Sequence, residues 1–176
     1  MLVVSMTLFA QDEKPTAKGN MMAGGSGSFG YGFDILESSS GHINFSLHPT
    51  VGFFLSDGFA LGASPLFSIY SRLGNTDYSS VSFGLGIFLA KYFNIGIFIK
   101  GLVGYDLART SYSSAGYSNA NITHSVQFIP EVGYAFFLGP NVALELSLYN
   151  RLELQPAETA SLLSDTYISA GFQVFL

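Results

Sequence analysis

The sequence predicts an all-β protein: a transmembrane, eight-stranded, antiparallel up-and-down β-barrel. Three observations predict it. Large apolar residues alternate with small polar ones over long stretches. The polar side of those stretches carries hardly any Lys or Glu. Tight turns alternate along the chain with longer polar loops.

The alternation is plain over 43–55. Ile43, Phe45, Leu47, Pro49, Val51, Phe53 and Leu55 share one side; Asn44, Ser46, His48, Thr50 and Gly52 share the other. Side chains of a strand alternate faces with period two, so this is a strand with one apolar surface. A soluble sheet puts its charges on the second face, whereas the inside of a barrel in lipid does not need them. Charged residues are 11% of the 176-residue chain and hydrophobic ones 48%, against roughly 25% charged in a typical soluble domain. No apolar run reaches the roughly 18 residues of a membrane helix, and in lipid only helices and closed barrels satisfy their own backbone. The chain has no Cys, which removes disulfides, thiolate catalysis and Cys-based metal sites. A net charge of −5 leaves no basic stripe for nucleic acid.

In chain order, residues 1–10, MLVVSMTLFA, read as the remnant of a secretory signal peptide cleaved after Ala10. Residues 11–19 are polar, contain Pro15, and read as a loose lead-in. The domain proper is 20–176. Strands are expected at 20–33, 43–55, 59–70, 80–92, 95–108, 123–138, 142–153 and 165–176. Ser56-Asp57-Gly58, Phe93-Asn94 and Gly139-Pro140-Asn141 supply tight-turn chemistry. The longer connections are 34–42, 71–79, 109–122 and 154–164. Short turns on one side and long polar loops on the other describe an outer-membrane barrel, with periplasmic turns and extracellular loops. Both termini are then periplasmic, in the cell outer membrane of a Gram-negative bacterium. Eleven residues rising about 3.3 Å each at a tilt of about 40° span roughly 28 Å, matching the apolar height of such barrels.

Phase sharpens the prediction. The outward positions, among them Ile43, Phe45, Leu61, Phe83, Leu85, Ile87, Ile97, Ile99, Val103, Phe128, Val132, Leu144, Leu146, Phe172 and Val174, carry no charge. The inward positions carry Lys100, Asp106, Glu131, Glu145 and Arg151. Lys or Arg facing lipid near the midplane costs about 2–4 kcal/mol, which accounts for the asymmetry. Lys91 falls in the outward phase beside a tight turn, where its ammonium can snorkel to the headgroups. Pro49 and Pro130 face outward inside strands and remove a ladder donor, so a bulge or a widened pair is expected at each. They also head a repeat: PTVGFFLSDGFALGAS from 49 and PEVGYAFFLGPNVALELS from 130 are both strand, tight turn, strand.

The strings Gly24-Gly25-Ser26-Gly27-Ser28-Phe29, Pro49-Thr50-Val51-Gly52-Phe53-Phe54, Ser56-Asp57-Gly58-Phe59-Ala60-Leu61-Gly62, Pro130-Glu131-Val132-Gly133-Tyr134 and Asn141-Val142-Ala143-Leu144-Glu145-Leu146 carry a resemblance. Over about 20–176 the chain resembles the bacterial outer-membrane β-barrel domain family, which is similar in architecture to the small barrels of the outer-membrane protein A, X and W groups. The resemblance implies fold and compartment, with outer-membrane lipid and, during insertion, the barrel assembly machinery as partners. It implies no single activity. Such chains usually end on an aromatic residue, whereas here Phe175 is penultimate and inward and Leu176 is last.

The interior of an eight-stranded barrel is just wide enough for side chains to fill. Lys100, Asp106, Glu131, Glu145 and Arg151 are expected to form a salt-bridge network inside it, since buried charges must be paired or hydrated. Phe54, Phe88, Phe98, Phe137 and Phe175 fall inward near the periplasmic ends of their strands and are expected to form an apolar floor. Tyr31, Tyr70, Tyr78, Tyr105, Tyr134 and Tyr149 are candidates for interfacial belts or loop contacts. Catalysis is not expected. His48 and Ser46 share a face, but strand neighbours at that spacing lie roughly 7 Å apart, too far for a nucleophile–base hydrogen bond. No residue set suggests a metal or a cofactor. The expected role is structural or porin-like with a narrow or plugged lumen. The alternatives are adhesion or binding through the extracellular loops, and a pathway for small hydrophobic molecules. A soluble lipocalin-like barrel is the alternative fold.

Overall fold

The structure, a computed structural model, describes residues 14–33, 41–73, 77–114, 117–154 and 162–176. Residues 1–10, read above as a signal peptide, and the centres of the four long connections lie outside the described residues. The strands are β1 (Met21–Phe33), β2 (Gly41–Ser56), β3 (Phe59–Leu73), β4 (Asp77–Tyr92), β5 (Ile97–Ser114), β6 (Tyr117–Gly139), β7 (Val142–Leu154) and β8 (Leu162–Phe175). Each pairs antiparallel with the next, and β8 returns to β1, with Met22 opposite Phe175 and Gly27 opposite Ala170. The predicted barrel is therefore closed, with no free edge.

All eight predicted strands are present, and most run further toward the loop end than expected. β5 has 18 residues and β6 has 23. Much of 109–122, read as loop, is an antiparallel hairpin in which Thr110 faces Asn121 and Ser114 faces Tyr117. Backbone pairing there does not depend on apolar side chains, so the polar composition hid it.

The predicted phase holds along the strands. Phe83, Leu85, Ile87, Ile99 and Val103 are exposed on the outer surface, and Phe88, Lys100, Leu102 and Asp106 are buried inside. Large apolar residues thus cover the outside and polar ones are enclosed, the reverse of a lipocalin-like barrel. Among the described residues no helix is long and apolar enough to cross a membrane.

Of the two expected outcomes at the prolines, the structure shows no bulge there but an interrupted pairing. Pro49 and Pro65 occupy facing positions of β2 and β3, where pairing lapses between Leu47–Phe67 and Val51–Ala63 without a change of register. Neither proline has an N–H to give. Ser64 Oγ instead donates to Pro49 O at 2.7 Å. Pairing of β6 with β7 lapses likewise beside Pro130. The true register shifts lie just before the tight turns, between Phe54 and Ser56 and between Phe137 and Gly139. The two repeated hairpins therefore share an interrupted ladder, a bulge and a two-residue turn.

The lead-in is not loose over its described part. Gly19 N donates to Phe54 O at 2.9 Å, Gly58 N to Thr16 O at 2.7 Å, and Lys18 N to Asp57 Oδ1 at 3.0 Å. Lys14 Nζ reaches Asn94 Oδ1 at 3.3 Å. Residues 14–20 thus run from β1 beneath the β2–β3 turn to the β4–β5 turn. Gly19 makes the bend with φ of 94°. Lys91 also turns to this rim: its Nζ donates to Asp57 O at 2.8 Å.

Candidate functional site

The barrel interior is built in layers, because period two aims every second residue of each strand at the axis. At the turn end, Phe54, Phe88, Phe98 and Phe175 are among the largest fully buried side chains. Tyr92 completes the layer. Its ring lies 5.4 Å from Phe98, 5.9 Å from Phe54 and 6.0 Å from Phe175. Phe54 and Phe175 lie 6.1 Å apart. These are the tilted and edge-on geometries aromatic rings prefer. Glycines make room for them. A Cβ on Gly133 would stand 2.6 Å from Phe98 Cζ, and one on Gly62 would collide with the Phe88 ring.

One expected member of the floor sits elsewhere. Phe137 lies 5.6 Å from Phe175, yet it is 43% exposed. It adjoins the β6 bulge at the rim. Phe54, at the matching place in β2, is buried, and its backbone is bonded to residues 19 and 20. Tyr92, which the sequence reading passed over, was available from its phase: it is two residues beyond Ala90 on the inner face.

The five inward charges lie above this floor, with Lys100 and Glu131 at one level. Lys100 Nζ and Glu131 Oε2 are 2.6 Å apart, and Ser147 Oγ donates to Glu131 Oε1 at 2.7 Å. Glu145 accepts from Tyr92 OH at 2.8 Å, which ties floor to charge layer. Gln173 Nε2 donates to Thr50 Oγ1 at 2.9 Å at this level. Higher up, Ser125 Oγ donates to Asp106, and Arg151 Nη2 donates to Ser46 Oγ at 3.3 Å. The Arg151 guanidinium also lies 5.7 Å from the centre of the Tyr167 ring. Among the described residues, the Lys100–Glu131 ion pair low in the lumen is accompanied at other levels by hydroxyl partners of Glu145, Asp106 and Arg151.

Between these levels Leu66, Leu102, Ile129 and Tyr149 are buried. Tyr149 OH and Ser28 Oγ share a hydrogen bond of 2.8 Å, and the His48 ring stands edge-on to Tyr149 at 5.8 Å. Ser46 is engaged by Arg151, and His48 packs against an aromatic ring. Among the described residues no three His, Cys, Asp or Glu cluster as metal ligands.

The tyrosines divide. Tyr105 and Tyr134 are exposed on the outer surface, with Tyr105 OH bonded to His124 Nδ1 at 2.7 Å. Tyr149 is buried, and Tyr70 and Tyr78 share the inner phase, so these three are not part of an interfacial belt. The side chain of Tyr31 lies outside the described residues.

A closed eight-stranded barrel, apolar outside and filled with a polar-over-aromatic interior, has the fold of the small outer-membrane β-barrels. No protein-family model matches the chain, and no curated protein matches it. Solved structures do. The Neisserial surface protein A barrel is 17% identical with a TM-score of 0.57, over 89% of this chain and 99% of that one. Ail, the attachment invasion locus protein of Yersinia pestis, is 13% identical with a TM-score of 0.54, over 90% and 99%. The outer membrane protein OprG of Pseudomonas aeruginosa is 12% identical with a TM-score of 0.53, over 93% and 99%. The likeness is one of fold across the full length of those chains.

Proposed function

We propose that this protein is an integral outer-membrane barrel with a sealed lumen, its turns and both termini periplasmic, that does not act as an open pore. The observation that carries this is the floor. Phe54, Phe88, Phe98 and Phe175 are buried together, with Tyr92 among them and residues 14–20 strapped beneath the adjoining turns. The Lys100–Glu131 pair fills the level above. A hydrophobic molecule crossing to the periplasm would have to part the same rings. The test is single-channel recording of the refolded protein in planar bilayers, together with the heat-modifiable gel mobility typical of folded barrels. The reading expects a mobility shift and no steady conductance. A large steady conductance would sink it.

A second reading adds a surface role. At about 3.3 Å per residue and a tilt of about 40°, an 18-residue β5 rises about 45 Å, well beyond the roughly 25 Å apolar band of such barrels. The β5–β6 hairpin therefore projects on the loop side as a paired ribbon suited to binding.

A further inference from the structure

Four aromatic side chains from four successive strands meet on the inner wall at the loop end. His42 of β2 stacks on Tyr70 of β3, with centroids 5.8 Å apart. Tyr70 packs edge-on to Tyr78 of β4 at 5.6 Å, and Tyr78 edge-on to Tyr112 of β5 at 4.9 Å. Their phase places all four on the lumen side: His42 with Ser46, Tyr70 with Leu66, Tyr78 with Phe88, and Tyr112 with Asp106. The core does not account for them. Tyr112 is exposed, and the other three are half-buried.

The described surroundings of this ladder are polar. Ser68 and Ser82 share a hydrogen bond of 2.7 Å just below it, and Thr110 Oγ1 reaches Ser80 Oγ at 3.5 Å. Across from Tyr112 stands Asn119, and across from Thr110 stands Asn121, both exposed. Arg72 lies opposite His42 and Tyr78 in the register. Among the described inner-face residues of β2–β6 above Asp106 there is no carboxylate.

We propose that this ladder is a binding site for a neutral oligosaccharide, resting on the sealed-barrel reading above. Sugar rings offer apolar C–H faces that lie against aromatic rings, and hydroxyls that take amide, hydroxyl and guanidinium partners. Tyrosines supply such contact area at low cost in conformational entropy. Successive ring contacts spaced one strand apart suit an extended chain better than a compact ligand. A chain of net charge −5 is a poor partner for nucleic acid. The ladder faces the mouth, not the lipid, so the sugar comes from the medium and not from lipopolysaccharide standing around the barrel. With the floor closed, it enters and leaves by the same side.

The chain has no Trp, so binding is followed by tyrosine fluorescence of the refolded full-length protein, to which three of its ten tyrosines contribute from the ladder. Maltohexaose, cellohexaose and chitohexaose are titrated separately, with a thymidine oligonucleotide and purified lipopolysaccharide as rival probes. Saturable binding of at least one hexasaccharide is expected, weakened about tenfold by Tyr78→Ala and by Tyr112→Ala and unchanged by Tyr134→Ala on the outer surface. Gel mobility confirms that each variant is folded. Tyr112 lies close to the end of its strand, so its variant keeps the test intact should Tyr78→Ala fail to fold. Binding of none of the sugars, binding of the oligonucleotide or lipopolysaccharide alone, or full affinity in folded Tyr112→Ala would overturn the proposal. Channel recording tests the sealed barrel separately, so either idea can fail alone.

Discussion

Lys100 and Glu131 face each other directly in the β5–β6 register, and their side chains form an ion pair of 2.6 Å at 6% and 5% exposure. Both are thus committed to the lumen and to one another. Removing one partner of a buried pair strands the other charge and costs about 3–5 kcal/mol, whereas replacing both with apolar residues costs far less. Glu131→Gln is expected to lose stability in that range, and Lys100→Met with Glu131→Met to recover most of it. Urea unfolding of the vesicle-folded barrel, followed by gel mobility, measures both. Equal losses in the single and double variants would count against the pair.

The floor makes unequal demands on its phenylalanines. Phe98→Ala empties a fully buried site and is expected to cost about 3–5 kcal/mol and to admit brief channel openings. Phe137→Ala, at a residue 43% exposed, is expected to cost less than about 1 kcal/mol and to leave the seal closed. The same unfolding series and planar-bilayer traces compare them.

The outer surface can be tested with one charge. Ile87 is 65% exposed near the middle of β4. Ile87→Arg is expected to lower stability by about 2–4 kcal/mol in lipid vesicles, as for any Arg held at the bilayer midplane. An unchanged midpoint would mean that this face does not meet lipid.

Two inward glycines are expected to respond differently to a side chain. At Gly133 a Cβ would meet Leu146 O and Phe98 Cζ, both at 2.6 Å, so a backbone oxygen blocks it. Gly133→Val is expected to prevent closure of the barrel, and Phe98→Ala not to rescue it. At Gly104 the nearest atom is the end of the Leu66 side chain, also at 2.6 Å, which can rotate away. Gly104→Ala is expected to fold with nearly unchanged gel mobility.

The strands were legible in the sequence because alternation is enforced from both sides: lipid excludes charge from one face, and a narrow lumen favours small residues on the other. Their upper ends were not, since Ser, Asn and Tyr outside the lipid lose that constraint, and 109–122 reads as loop while pairing as a hairpin. The charged lumen residues followed from phase alone. Phe137 did not, because phase gives the side of the wall and not what covers its end: Phe54, at the matching place, has residues 19 and 20 bonded to its backbone. The strap at 14–20 was hidden for another reason: its bonds are backbone contacts to distant turns, and nothing local in KPTAKGN announces them.

Phe175 has a consequence for the order of events. It belongs to the last strand, yet its ring touches Phe54 of β2, Tyr92 of β4 and Phe137 of β6. Rings from three other strands therefore wait for β8 before they have a common neighbour. Until β8 docks on β1, water keeps access to Lys100 and Glu131. When it docks, ring closure and dehydration of the lumen become one event: the residue that finishes the wall is also the stopper.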